Sequence, residues 1–296
     1  MKSIWSKIII VGVVGLCLAG TGMAMGANGN GFYIDKNGLH MYSGKYTLVK
    51  ETNINTISEI RIDTLSANIK LIVADDYGFE IYGREDVGFS YSYENGRLVI
   101  EEQKDVASFF MVGIGWQQSY INIYLPNSAR LNLVEIKNTS GRINIDGLNC
   151  QTLTMKQSSG KTEINRLIAD SVTMQNSSGR IEINNSSAQT FDFRMLSGNI
   201  IATDLNSESL KMEITSGTAR LGGIFNGDST IKVGSGSVTM DINGAERDFD
   251  RSVKVTSSGH VSINGIKTNS GNIDNHAGNI LDVRVTSGHV NLNFLR

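Results

Sequence analysis

Residues 138–164 read NTSGRINIDGLNCQTLTMKQSSGKTEI, and this stretch decides the fold. It contains Ser140-Gly141 and Ser159-Gly160, one interval of 19 residues apart (160 − 141). The pair recurs at Ser178-Gly179, Ser197-Gly198, Ser216-Gly217 and Ser235-Gly236, again at steps of 19. Later pairs end at Gly259 and Gly288, after 23 and 29 residues, with an extra Ser270-Gly271 between them. A fixed period of this length is the mark of a repeat architecture.

The apolar residues keep the same phase. Two residues after each glycine stand Ile143, Thr162, Ile181, Ile200, Ala219, Val238, Val261 and Val290. Four after stand Ile145, Ile164, Ile183, Ala202, Leu221, Met240, Ile263 and Leu292. A spacing of two puts both columns on one face of a strand. A second pair precedes the next glycine: Leu153 and Met155, Val172 and Met174, Phe191 and Phe193, Leu210 and Met212. Leu148, Leu167, Leu205 and Ile224 form an expected corner column. One such unit cannot bury its apolar face, but stacked units can. The fold class expected is therefore all-β: a β-solenoid of 19-residue coils with parallel, in-register strands. At about 4.8 Å per coil, residues 46–296 would give about 13 coils. The glycines are expected to supply a positive φ at the turn, and the serines to stack in a column bonded to turn backbone.

Composition agrees. The chain has 296 residues, 32 glycines and a single proline, which suits many turns between pairing strands. Charged residues are 19 % and the formal net charge is −2, too balanced for a nucleic-acid binder. Cys17 and Cys150 lie far apart in the organisation, so no disulfide is expected.

The organisation has three parts. Residues 1–26 carry Lys2 and Lys7, then an uncharged run from Ile8 to Met25, long enough to cross a bilayer. The lysines before the run place the N-terminus in the cytoplasm and the remainder outside. The alternative is a signal peptide cut near Ala24-Met25-Gly26 or Met25-Gly26-Ala27. Either way the rest is extracytoplasmic. Residues 27–45 read as a membrane-proximal linker with little fixed structure. Residues 46–296 read as the solenoid, irregular over 46–137 and regular over 138–296. In the irregular part, Ser66-Ala67-Asn68-Ile69-Lys70-Leu71 is a degenerate repeat start, and Glu94-Asn95-Gly96 is a hairpin-type turn.

Tyr120-Ile121-Asn122-Ile123-Tyr124-Leu125-Pro126, then Leu131 to Ile136, then Asn138-Thr139-Ser140-Gly141-Arg142-Ile143-Asn144-Ile145, resembles the bacterial putative-adhesin family, a domain-of-unknown-function group. The resemblance covers roughly residues 46–296. It implies one N-terminal membrane segment, an extracytoplasmic β-solenoid and a place in Gram-positive envelope loci, some beside stress regulators. It brings no catalytic residues.

Chemistry-bearing residues are sparse. His40, His260, His276 and His289 lack a carboxylate or cysteine cluster, and His260 and His289 are expected more than one coil apart; they read as surface residues, with no metal or cofactor expected. Eight equivalent serines without matched bases read as turn residues rather than nucleophiles. Arg142, Lys161 and Arg180 form one outward column beside Asn144, Glu163 and Glu182, a mixed-charge solvated face with an anionic-glycan site as the sharper alternative. Asp75-Asp76 and Asp248-x-Asp250 read as solvated loop acids. Gly113-Ile114-Gly115 is too weak for a nucleotide site. The apolar segment with Phe109, Phe110, Met111, Ile114 and Trp116 is the candidate partner contact, set against simple packing over the core. The function expected is a non-enzymatic envelope scaffold or adhesin-like module, whose partner is a protein or a cell-wall glycan. An envelope-stress accessory protein is the alternative, and a carbohydrate-active enzyme the remote one.

Overall fold

A computed structural model describes residues 31–35, 38–42, 46–84, 88–102, 110–113 and 118–296. The expected membrane segment, residues 1–26, lies outside the described residues. Among the described residues, no helix is long and apolar enough to cross a membrane.

Nineteen of the described strands form one large sheet that winds around a single apolar core. Leu131–Asn138 pairs in parallel with the chain from Cys150, and Arg142–Asp146 with the chain from Lys161, at the 19-residue register. The same register carries Asn149–Asn165 onto Ile168–Ile214, and that run onto Thr218–Val233. Each coil has two strand faces, joined at one side by the Ser-Gly bend and at the other by the leucine corner. The inward columns are buried as their phase requires: Ile143, Ile164, Ile183 and Leu221 on one face, Leu153, Val172, Phe191 and Leu210 on the other.

The order of coils along the stack departs from the order along the chain. Asn279–Val285 pairs with the end of Thr218–Val233 on one side and with Phe249–Val255 on the other. His289–Phe294 likewise lies between Ser237–Ile242 and His260–Ile263. The last coil of the sequence is thus inserted beneath the coil that precedes it. This explains the intervals of 23 and 29. In space Gly288 stacks on Gly236 and His260 bonds the Gly288 carbonyl, so the column is unbroken. At the other end, Asn68–Ala74 lies between Tyr120–Pro126 and Arg142–Asp146. There Ala67 stands where the repeats have glycine. Among the described residues the stack has ten in-register layers, their first strands beginning at 97, 59, 131, 150, 169, 188, 207, 228, 279 and 249. That is roughly 40 Å of rod. It is shorter than 13 coils because residues 46–126 also supply antiparallel strands, Tyr46–Ile54 on Tyr77–Arg84 and Phe89–Glu94 on Arg97–Glu102.

Arg251 fits the inverted order. Its register position is the inward column of Leu281, Ser229 and Leu210. In the terminal layer its side chain, buried to 7 % exposure, reaches Glu246 at 2.6 Å. Docked directly on Ser229, it would lie inside the stack between two coils. An inward charge is one way to forbid a wrong pairing. The outermost strands, Ile266–Thr268 and Gly271–Ile273, are short and antiparallel, which blunts the exposed edge.

The glycines meet the expected need at three of the turns and a second need at all six. Positive φ occurs at Gly141, Gly160 and Gly198 and not at Gly179, Gly217 or Gly236. What all six share is close approach. The glycine carbonyl of one coil accepts the N–H just after the next glycine, as for Lys161 on Gly141 and Ser237 on Gly217. A Cβ would stand 2.2 Å from that oxygen at Gly160, 2.6 Å at Gly179, 2.4 Å at Gly198 and 2.2 Å at Gly236. Two further expectations are corrected. Ile224 leaves the corner column because a register shift places Gly223 against Leu205, and Ile224 is 38 % exposed. Residues 27–45 contain strands, Gly31–Asp35 and Gly38–Tyr42, in a separate sheet with Phe110–Gly113.

Candidate functional site

A groove of about 590 Å³ runs along the rod beside the Ser-Gly bends. Its geometry follows from alternation at the end of each second strand. Asn138, Gln157, Asn176 and Met195 turn inward and are buried. The residues before them, Lys137, Lys156, Gln175 and Arg194, form one side of the groove. The residues after them, Thr139, Ser158, Ser177 and Leu196, form the other. Asp63 and Glu213 stand at its two ends. Six layers at about 4.8 Å make it roughly 24 Å long.

Charge along the cationic side is unevenly neutralised. Lys137 lies 2.8 Å from Glu135, and this hydrogen bond holds the Glu135 carboxyl below the usual carboxylate range. Arg194 lies 2.8 Å from Asp192. In the two middle coils Thr154 and Thr173 occupy the register positions of Glu135 and Asp192. Lys156 therefore has no acid on its own strand, and among the described residues it makes no ion pair; Glu135 on the adjacent strand feels its charge without bonding it. Beside Lys156 the hydroxyls of Thr139, Ser158 and Ser177 are exposed.

Beneath the groove lies a ladder of buried polar residues. The Asn138 amide donates to Thr64 Oγ1 and to the Ala67 carbonyl. Gln157 donates to the Gly141 carbonyl and accepts from Thr162 Oγ1. These bonds hold the bend against the strand. Asn176 continues the ladder, but neither of its amide atoms has a partner. The next layers carry Met195, Ile214 and Val233 at this position. Replacing Asn176 with leucine is expected to raise stability by about 1–3 kcal/mol, the cost of an unpaired buried amide; chemical denaturation measures it.

The sequence-predicted residues distribute as follows. Ser140 Oγ donates to the Leu65 carbonyl and Ser159 Oγ to the Thr139 carbonyl, as expected of turn serines. Ser178, Ser197, Ser216 and Ser235 follow in the same column, each before its glycine. Lys161 bonds Glu163 and lies 2.9 Å from Glu182, so the mixed-charge face neutralises itself. His260 and His289 are in adjacent layers, not separate ones, with rings stacked 5.1 Å apart. Among the described residues no group of three or more His, Cys, Asp or Glu is placed to hold a metal. Phe109, Ile114 and Trp116 lie outside the described residues; Phe110 and Met111 belong to the strand Phe110–Gly113. The groove escaped the sequence reading because its signal, Lys156 facing threonines where neighbouring coils carry acids, appears only once the coils are aligned.

Residues 57–293 match the model of a family described as Toastrack DUF4097. No curated protein matches the chain. Among solved structures, a putative adhesin of Bacteroides fragilis is similar at 14 % identity, covering 86 % of this chain and 98 % of that one, with a TM-score of 0.42. A putative adhesin of Parabacteroides distasonis is similar at 14 % identity, covering 84 % and 97 %, with a TM-score of 0.41. A putative lipid-binding protein of the same species is similar at 16 % identity, covering 84 % and 97 %, with a TM-score of 0.42.

Proposed function

The chain belongs to the Toastrack DUF4097 family, and we propose that it is a non-enzymatic, extracytoplasmic binding module of the cell envelope, held by residues 8–25 and presenting its groove to a cell-wall glycan. The groove carries this reading. It is open, extended along the rod and edged by regularly spaced hydroxyls, with the Lys156 ammonium, in no ion pair, at its centre. An extended polyhydroxylated chain bearing acidic groups matches that pattern, because each sugar can bond one layer while an acid meets Lys156. Rigid strands hold the spacing, so little ordering is needed on binding.

The test is retention of the protein on purified acidic cell-wall polysaccharide. Lys156→Glu is expected to weaken binding about tenfold or more, the scale of one charge-assisted hydrogen bond. Lys232→Glu, on the same outward column beyond the groove, is expected to leave it unchanged. Equal binding by all three proteins, or cleavage of the glycan, would overturn the reading. Mass spectrometry of the mature N-terminus tests the anchor, since a terminus near Ala27 means that residues 8–25 are removed.

A further inference from the structure

The groove changes character along its length. One side runs Thr139, Ser158, Ser177, Leu196 and Thr215, one residue per layer. Leu196 is the only large apolar member, and it is 60 % exposed. The floor changes at the same layer, where the buried amides of Asn138, Gln157 and Asn176 give way to Met195. Charge divides there too. Arg194, on the facing side of this layer, lies 2.8 Å from Asp192, so its charge is met within the chain. What the layer leaves for a ligand is apolar surface, with the exposed hydroxyls of Ser177 and Thr215 in the layers on either side. Lys156, in no ion pair among the described residues, stands two layers away, roughly 10 Å along the rod.

A single exposed leucine on an open surface needs no partner. Leu196 lies inside the groove, in a column that is otherwise hydroxyl-bearing at these layers. Covering it is favourable only with apolar atoms, which the hydroxyls of a bare sugar chain do not supply. A short acyl group does. Its methyl covers Leu196 while its carbonyl accepts from the Ser177 or Thr215 hydroxyl.

We infer that Leu196 is the contact for an acyl group carried by the glycan, an acetyl methyl seated against Leu196 while an acid of the same chain meets Lys156. The inference rests on the glycan reading of the groove given above. It makes Leu196 a specificity-determining residue. Lys156 selects acidic chains over neutral ones, and Leu196 selects acylated chains over bare ones. An N-acyl amide and an O-acyl ester present the same carbonyl and methyl, so both suit the contact.

Titration calorimetry of the full chain in detergent tests this with two pairs of acidic oligosaccharides. The first pair is hyaluronan decasaccharide in its N-acetyl form and in an N-formyl form, which keeps the amide and lacks the methyl. The second is oligogalacturonate with and without O-acetyl groups. The wild-type chain is expected to favour the acetylated member about fourfold, the scale of one buried methyl-sized group. Preference in the first pair alone assigns the amide, and in the second alone the ester. Leu196→Ser, which gives the layer the hydroxyl of its neighbours, is expected to bind both members equally and to keep the wild-type affinity for the unacetylated one. A preference that persists in Leu196→Ser, or none in either pair, would overturn the inference; binding still lost in Lys156→Glu would then leave the glycan reading standing. Binding of no oligosaccharide by the wild-type chain would overturn both.

Discussion

Replacing Gly198 with alanine is expected to cost about 4 kcal/mol or more and to unfold the coils around it. Two penalties coincide at this position. Its φ of +130° is one that L side chains rarely adopt, worth about 1–3 kcal/mol. The new Cβ would also stand 2.4 Å from the Gly179 carbonyl oxygen, which is backbone and fixed by the ladder. Relief requires the two coils to separate, and that breaks the parallel register on both sides. Gly271→Ala is the control, with nothing within 4 Å of its Cβ, and is expected to stay within about 0.5 kcal/mol of the wild type. Thermal and denaturant unfolding measure both.

The second large effect concerns the inserted coil. Deleting residues 279–296 removes Leu281, Val283, Val285, Val290 and Leu292, all at most 2 % exposed. Their burial is worth of order 10 kcal/mol. Because repeat proteins are stabilised layer by layer, the loss is expected to be local. Residues 245–278 should detach and become open to trypsin at Arg247, Arg251, Lys254 and Lys267. The coils from 131 to 223 should remain protected. Protection of Arg251 and Lys254 in the deleted chain would instead mean that residues 249–263 have redocked on the end of Thr218–Val233. Limited proteolysis followed by mass spectrometry distinguishes these outcomes.

The coil itself was legible in the sequence, because its specification is local and repeated. The step of 19 and the inward residues two apart, such as Ile143 with Ile145, give the register directly. The order of coils was not legible, because equivalent inward columns fit almost any neighbour. Only single residues can break that degeneracy; Arg251, paired with Glu246 in the terminal layer, is one that fits the observed order. The same degeneracy hid the adjacency of His260 and His289. The glycine requirement was read as a torsional one, when the larger constraint is a carbonyl from the next coil, a contact 19 residues away. Ile224 fell out of its column through a shift of one residue at Gly223, which the even spacing concealed. The linker over 27–45 was read as loose because its strand partner, Phe110–Gly113, lies some 70 residues onward (110 − 42 = 68).

In this stack of in-register coils the last coil in sequence lies second from the end. A short thiol crosslinker tests it most directly, in a chain with Cys17 replaced by serine. Cys150 does not compete, since burial raises its thiol pKa to about 12. Thr239 is opposite Asn291, and Asn291 opposite Ser262. The pairs Thr239→Cys with Asn291→Cys, and Ser262→Cys with Asn291→Cys, are expected to crosslink rapidly and within one chain. The pair Thr239→Cys with Ser262→Cys, two layers or roughly 10 Å apart, is expected not to. Efficient crosslinking of that last pair, with none between 239 and 291, would contradict the inserted order.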